Sequence, residues 1–313
     1  MVGYICVALD PMDMKSLLDR NRSDIALIIG NGINRYDSSS SSNSWEALLR
    51  KLAKKYRVGA GNIPSGISLT EFYDVLELKS GSNISEPSLQ KDFCELIAGW
   101  KPRDHHRYIA KWAKDARAPI LTTNFENVLG DAVKCELLRT TAKGFTDYYP
   151  WTSYYGDKEN PLTNPCDGFG IWHINGMEHY HRSIRLGLSH YMGSVGRARA
   201  WLHRGGDRRL FSGKSPDNWL GKNTWVHIIF NSPLLIFGLA LEENEVFLRW
   251  LLIERARYFK KFPDRRKKAW YVHTNEKDGS GKLFFLKGVG VRPVKVNSYD
   301  LSLIHISEPT RQS

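Results

Sequence analysis

The chain has 313 residues, of which 42% are hydrophobic and 25% are charged, as in an ordinary folded globule. This length is sufficient for one large α/β domain, or for one domain with a sizeable insertion. No apolar run approaches the roughly 18–20 residues of a membrane span, and the first ten residues lack the features of a signal peptide. The four cysteines form no CxxC pair, so neither a zinc ribbon nor a redox dithiol is indicated. We therefore expect a cytoplasmic protein without a membrane partner.

The net charge of +12 is concentrated in two segments, residues 197–209 and 255–268. A basic surface attracts nucleic acid, anionic membrane or phosphorylated ligands. Such runs of Lys and Arg also occur simply as solvated faces. The sequence leaves both interpretations open, and no motif in it favours nucleic acid.

Both ends of the chain differ from its middle. Residues 301–311 (LSLIHISEPTR) resemble the translation of an adapter used in sequencing libraries. We therefore expect residues 301–313 to be non-native and the natural chain to have been cut near Asp300. Residues 1–23 form an N-terminal segment of uncertain start, because Met12 and Met14 are alternative starts. The domain is predicted to span residues 24–300.

The first half of the chain predicts a buried strand followed by several helices. Residues 25–29 (IALII) are fully apolar and end at Gly30, which is typical of a buried parallel strand that feeds a turn. After a polar loop, Ser44 is a suitable N-cap for a helix that begins at Trp45. Further helices are predicted over 69–78, 89–98 and 105–114, and a second strand over 119–121.

The second half predicts more strands, separated by helical or irregular segments. A helix is expected to pass through Val128 and Leu137, followed by an irregular insertion over about 142–170. Strands are predicted at 170–174, 234–237, 269–273 and 291–296, with a long helix over 242–260. This alternation predicts an α/β fold with a Rossmann-like, doubly wound and mostly parallel sheet. Ligands of such sheets bind beyond the carboxyl ends of the strands.

The glycine turn after the first strand is the first candidate binding segment. Glycine permits a sharp turn and a close approach to a pyrophosphate, and a following helix N-terminus would add N–H donors. The GxGxxG fingerprint is incomplete, and a glycine turn also has purely structural uses. The candidate residues are Gly30, Asn31, Gly32, Ile33, Asn34 and Arg35.

Three further clusters of polar or small residues follow predicted strands. Each has a structural alternative, such as a helix cap or a core histidine. Alternate residues of a strand share one face, so the two polar residues of the third strand would point the same way. The clusters are Thr123, Asn124 and Glu126 after the second strand, His173 and Asn175 on the third, and Gly238, Leu239 and Ala240 after the fourth.

The order and spacing of these segments resemble the sirtuin family, and within it the prokaryotic sirtuin-like domains of anti-phage defence systems. The matching pieces are IIGNGINR, SWEALL, LTTNFEN, IWHINGM with SIRLGLSHY after it, and FGLALEENEVFLRWLLIERARYF. Together they span roughly residues 24–275. The resemblance implies a Rossmann-like fold that binds NAD and breaks the bond between nicotinamide and ribose.

Carried over to this chain, the resemblance implies that residues 30–35 line the dinucleotide site and that Asn124 is the catalytic asparagine. Residues 238–240 would lie along the adenosine half. Asn175 stands where the family usually has its catalytic histidine, so His173 is the nearest candidate base. In further departures, Glu126 replaces an aspartate, Ala240 replaces a serine, and the zinc-ribbon cysteines of protein deacylases are absent from the sequence.

The resemblance thus implies an NAD hydrolase that releases nicotinamide and ADP-ribose, with NAD as its substrate and no metal. It would act as a defence effector, within a homo-oligomer or beside a partner defence protein. The oxocarbenium-like transition state needs a group that positions ribose and water, and a base that titrates near neutrality. Two alternatives stay open: an NAD-dependent protein deacylase, and a non-enzymatic module that senses NAD or ADP-ribose.

Overall fold

The computed structural model describes residues 11–22, 24–36, 43–82, 86–141, 149–274 and 280–296. The predicted adapter translation over 301–313, and residues 1–10 and 23 of the uncertain N-terminal segment, lie outside these residues. The helices are α1 (Pro11–Asn21), α2 (Gly32–Arg35), α3 (Trp45–Lys55), α4 (Leu69–Ser80), α5 (Ser88–Ile97), α6 (Asp104–Asp115), α7 (Val128–Ala132), α8 (Leu188–His203), α9 (Val226–Asn231), α10 (Val246–Lys261) and α11 (Ser280–Gly288). The strands are β1 (Ala26–Ile29), β2 (Ile120–Thr122), β3 (Glu136–Arg139), β4 (Ser153–Gly156), β5 (Ile171–His173), β6 (Leu234–Phe237), β7 (Ala269–His273) and β8 (Arg292–Lys295).

The described strands form one sheet in the order β3-β4-β5-β2-β1-β6-β7-β8. From β5 to β8 all neighbours are parallel, whereas β4 is antiparallel to both β3 and β5. Numbered along the chain, the parallel strands stand in the order 3-2-1-4-5-6, which is the order of dinucleotide-binding doubly wound sheets. The predicted α/β, Rossmann-like fold is confirmed. Its topological switch point lies between β1 and β6.

Alternation along β1 explains why this central strand is apolar throughout. Ala26 and Ile28 belong to a core on one face of the sheet, and Leu27 and Ile29 belong to a core on the other. Successive strand residues point to opposite faces, so a strand covered by helices on both sides needs apolar residues at every position. A third core lies among α3, α4 and α5, beside the sheet.

The structure differs from the sequence predictions around Leu137 and in the insertion. The helix that begins at Val128 ends at Ala132, and Leu137 lies in strand β3. Lys134 has a φ of 55°, in the left-handed region, which ends the helix. The insertion contains strand β4, while its residues 142–148 lie outside the described part of the chain. Neither helix α8 nor helices α1, α9 and α11 were predicted.

The second basic segment contains one arginine that is part of the core. Arg255 is 2% exposed, and its guanidinium donates to the carbonyl oxygens of Ile229, Ser232, Lys267 and Lys268. Burial lowers its pKa to about 9. Arg255 therefore ties α10 to the end of α9 and to the start of β7, so a solvated face does not account for the whole segment.

Substitution of Gly32 by alanine is expected to destabilise the switch point. A Cβ atom at Gly32 would lie 2.6 Å from the carbonyl oxygen of Gly238, because the loops after β1 and β6 touch there. We expect a loss of about 1–3 kcal/mol in the free energy of unfolding, measured by chemical denaturation. The matched control is Gly193→Ala within α8, where nothing lies within 4 Å of the added carbon. Equal effects of the two substitutions would contradict the close packing.

Candidate active site

A cavity of about 900 Å³ opens at the carboxyl ends of the central strands. The loops after β1, β2, β5, β6 and β7 form one wall, and α3, α5 and α6 contribute aromatic and apolar residues to the other. Its size is that of a cofactor site, and its position is where doubly wound sheets bind ligands. The predicted site residues that border it are Asn31, Gly32, Ile33, Arg35, Thr123, Asn124, Glu126, Asn175, Gly238, Leu239 and Ala240.

The glycine turn packs two strand-end loops together, and several of its N–H groups are bonded within the protein. The N–H of Gly32 donates to the carbonyl oxygen of Gly238 at 2.7 Å. The N–H groups of Ile33 and Asn34 are bonded within the turn, and α2 has only four residues. Side-chain cations also border the cavity, and one of them, Lys282, is paired with Glu242 at 2.7 Å. Arg35 and Lys282 both border the cavity.

Asn34 lies beneath the cavity wall and holds Glu126 in place. Its side-chain Nδ2 donates to Glu126 Oε1 at 2.7 Å and to Asn31 Oδ1 at 2.9 Å. Its Oδ1 lies 3.1 Å from His106 Nε2, while His106 Nδ1 accepts from the backbone N–H of Arg103. This pattern makes Nε2 the protonated nitrogen of His106 and fixes the orientation of the Asn34 amide.

Glu126 combines burial with a position on the cavity wall. The residue is 6% exposed, and burial raises the pKa of its carboxyl group to about 7, although the hydrogen bond from Asn34 acts in the opposite direction. An acid whose pKa is raised on folding stabilises the fold most below its unfolded pKa near 4.5, and that contribution is lost as the pH rises through 7.

We therefore expect Glu126→Gln to stabilise the protein at pH 8 by about 1–3 kcal/mol. Glutamine retains an oxygen that can accept from Asn34 and removes the buried negative charge. Thermal denaturation of both proteins between pH 5 and pH 8 checks this expectation. The difference in Tm should shrink as the pH falls, because the wild-type carboxyl group becomes neutral. A constant difference would show that ionisation of Glu126 does not contribute.

Asn124 is held by the turn after β2 and borders the cavity. Thr122 Oγ1 donates to the carbonyl oxygen of Ile29 at 3.0 Å and accepts from the backbone N–H of Asn124 at 3.1 Å. Asn124 is 4% exposed and borders the cavity. Neither of its amide atoms makes a hydrogen bond of normal geometry to a described residue, although the amide lies near enough to favour the carboxylate form of Glu126.

A buried amide without partners is costly and rare in folded proteins. Several buried side chains of the described residues have such unpaired polar atoms, and Asn124 is the predicted site residue among them that borders the cavity.

Asn175 links the Asn124 turn to a second carboxyl group, that of Glu245. Its Nδ2 donates to the carbonyl oxygen of Thr123 at 3.4 Å, and its side chain lies near enough to Glu245 to lower the pKa of that carboxyl group. Burial outweighs this effect and raises the pKa of Glu245 to about 7. The residue is half-buried and borders the cavity.

His173 lies behind the cavity wall. Its ring Nδ1 donates to the carbonyl oxygen of Asn124 at 2.8 Å, and its Nε2 is buried without a partner among the described residues. The residue is 1% exposed, and burial lowers the pKa of its imidazole to about 4. Among the described residues, His173, Gly30 and Asn34 are the predicted site residues that do not border the cavity. His173 instead supports the turn that carries Asn124.

Several cavity residues were not predicted. Glu245 lies at the start of α10. It belongs to an acidic stretch that directly follows residues 238–240, and this position is the sequence signal that could have identified it. Tyr191 lies in the SIRLGLSHY segment. The aromatic wall formed by Trp45, Phe93 and Phe125 follows from packing among α3, α5 and the β2 loop, which the sequence does not display.

Comparison with models of known protein families and with curated proteins finds no match for this chain. The resemblance to sirtuins therefore rests on the short motifs alone and stays a prediction. Within the described residues, no helix combines the length and the apolar character needed to cross a membrane. In the same part of the chain, no three His, Cys, Asp or Glu side chains are grouped to hold a metal ion.

Proposed function

We propose that this chain hydrolyses NAD at the bond between nicotinamide and ribose. The observation that carries the proposal is the buried amide of Asn124, which has no hydrogen-bond partner among the described residues and belongs to a residue that borders a cavity at the switch point of a 3-2-1-4-5-6 sheet. Glu126 and Glu245, the two carboxyl groups with a pKa of about 7, border the same cavity.

The reaction replaces a carbon–nitrogen bond with a carbon–oxygen bond. Nicotinamide leaves C1 of the ribose as a neutral molecule, and positive charge develops on the sugar in an oxocarbenium-like transition state. Water attacks C1 and gives up one proton, so the products are nicotinamide, ADP-ribose and a proton. In this scheme Asn124 orients the ribose hydroxyls and the attacking water, which lowers the entropic part of the barrier.

Glu245 is the proposed acceptor of the proton from water. Its pKa of about 7 leaves a large fraction of the carboxylate at neutral pH, while the base stays strong enough to accept a proton. Asn175, which donates to the carbonyl oxygen of Thr123, lies near enough to this carboxyl group to lower its pKa. His173 has its pKa lowered to about 4 and lies behind the wall, so we assign it a positioning role through the carbonyl of Asn124.

The cavity wall offers a different environment for each part of NAD. The small residues 238–240 and Tyr271 are proposed to lie against the adenosine half. Arg35 and Lys282 would meet the diphosphate, since cations and phosphate oxygens form strong charge-assisted hydrogen bonds. The aromatic wall would cover the nicotinamide end and exclude water other than the nucleophile. Depletion of NAD in an anti-phage response is the proposed cellular role, on the strength of the sirtuin-like motifs.

A second candidate is a module that binds NAD or ADP-ribose without cleaving it. The displacement of His173 from the cavity favours this alternative, since Asn175 takes the place of the family's usual base. Calorimetric titration of the protein with NAD, followed by chromatography of the mixture, separates the candidates. A hydrolase gives nicotinamide well beyond one equivalent per protein. A sensor gives saturable binding with NAD intact, and an absence of both results would contradict both candidates.

A further inference from the structure

The two basic segments, distant in sequence, lie side by side in the fold. Helix α8 packs against α10, where His203 Nε2 lies 2.7 Å from Glu254 Oε2. The turn that follows the first segment is held by the second, because Lys261 Nζ donates to the carbonyl oxygen of Phe211 at 2.9 Å. Residues 197–209 and 255–268 therefore contribute to one continuous surface.

We call this surface the basic face and define it by the exposed cations of both segments. The two segments hold thirteen Lys and Arg residues and only two acidic residues, Asp207 and Asp264, so they account for nearly all of the net charge of +12. Asp207 is itself paired with Lys214 at 2.7 Å. The residues of the basic face are Arg197, Arg199, Arg204, Arg208, Arg209, Arg257, Lys260, Lys261, Arg266, Lys267 and Lys268.

The basic face is separate from the cavity. Tyr191, near the start of α8, and Glu245, just before α10, both border the cavity. The two helices therefore run side by side away from it, and the cations cluster toward their far ends. At 1.5 Å per residue, Glu245 and Lys260 are roughly 22 Å apart along the helix. Favourable interaction with the helix dipole explains a few cations in a last turn, but not those in the loops that follow.

The surroundings of these cations distinguish between the polyanions that could bind them. No exposed large apolar side chain of the described chain falls within the two segments, and Leu220, at the margin, is 38% exposed. Stable binding to a membrane surface combines such cations with apolar groups that enter the lipid, and single-stranded nucleic acid is held by exposed aromatic platforms. The face is rich in arginine, whose planar fork matches phosphate oxygens. We propose that the basic face binds double-stranded nucleic acid through the phosphate backbone, without reading its sequence.

The test is fluorescence anisotropy with a fluorescein-labelled 20-base-pair duplex between 50 and 300 mM NaCl. We expect binding to weaken steeply with salt, because each neutralised phosphate releases counterions. The variant Arg199→Glu/Arg208→Glu/Lys260→Glu/Lys267→Glu should bind at least about tenfold more weakly, and its log–log salt slope should fall by roughly three to four. The matched control, Lys51→Glu/Lys54→Glu/Lys79→Glu/Lys91→Glu, changes the net charge equally at exposed positions elsewhere and should stay within about threefold of wild type.

Circular dichroism shows that each variant is folded before its binding is compared. An equal loss in the control variant would overturn the proposal, because binding would then depend on net charge alone. Failure of the wild type to bind at 50 mM NaCl, or binding that is insensitive to salt, would also overturn it. Association with phosphatidylserine vesicles but not with the duplex would assign the face to membranes instead. Asn124→Ala should bind the duplex like wild type, and a loss there would place the duplex in the cavity.

Discussion

Substitution of Asn124 by alanine is expected to reduce NAD cleavage by about 10²–10³-fold, the usual effect of removing one polar group that acts in the transition state. The substitution should not unfold the protein. It removes an amide that is buried without a partner among the described residues, so the Tm should stay the same or rise. Initial rates of nicotinamide release, measured with Tm on the same preparation, check both parts of this expectation.

The control for this substitution is Asn218→Ala, at an exposed asparagine that does not border the cavity. It should leave both the rate and the Tm at wild-type values. Full activity of Asn124→Ala would remove the residue from the mechanism. A large fall in Tm would instead show that Asn124 is a structural turn residue, and the loss of activity would then say nothing about chemistry.

The second large effect concerns the pH profile and Glu245. Its pKa of about 7 means that the carboxylate form, which accepts the proton from water, grows as the pH rises through neutrality. We expect the wild-type rate to rise across this range and then level off. Glu245→Gln should lower the plateau rate by about 10²–10⁴-fold, the usual contribution of a general base, and should abolish this limb of the profile.

Glu126 provides the discriminating comparison, because burial also raises its pKa to about 7 and it borders the same cavity. Glu126→Gln should keep the rising limb if Glu245 is the base. If the rising limb is lost in Glu126→Gln but kept in Glu245→Gln, then Glu126 is the base and Glu245 is not. If both variants keep the rising limb of the pH profile, the base is a group other than Glu126 and Glu245, and the assignment of Glu245 is wrong.

Much of the fold was predictable, because its elements carry local signals. The apolar run before Gly30 predicted β1, and Ser44 caps α3 as expected by accepting from the backbone N–H of Ala47. Among the helices that were missed, α8 has apolar spacing interrupted by glycine and arginine, and it buries only Tyr191, Ser194, Ala198 and Leu202. Strand β4 was missed because its pairing with β3 and β5 is a long-range feature that periodicity does not report.

The site was only partly predictable. The rule that residues following parallel strands meet at one edge of the sheet locates those residues, but it does not give the direction of their side chains. It brought Asn124, Glu126 and Asn175 to one cavity. Same-face alternation predicted that His173 would accompany Asn175, but β5 ends at His173, and Asn175 lies in the loop beyond the strand. The glycine turn was predicted to bind phosphate, which stays a prediction, and in the structure the N–H of Gly32 donates to the carbonyl oxygen of Gly238. Only the packed structure reveals this contact between the loops after β1 and β6.

The most direct test of the central claim is the stoichiometry of products formed from NAD by the wild-type protein without any acylated peptide. We expect nicotinamide and ADP-ribose to accumulate in a one-to-one ratio, over many turnovers, at a rate that rises with pH toward a plateau above neutrality. Intact NAD after prolonged incubation, with saturable binding, would contradict hydrolysis and assign the cavity to a sensor. Cleavage that starts only when an acylated peptide is added would contradict it in favour of a deacylase.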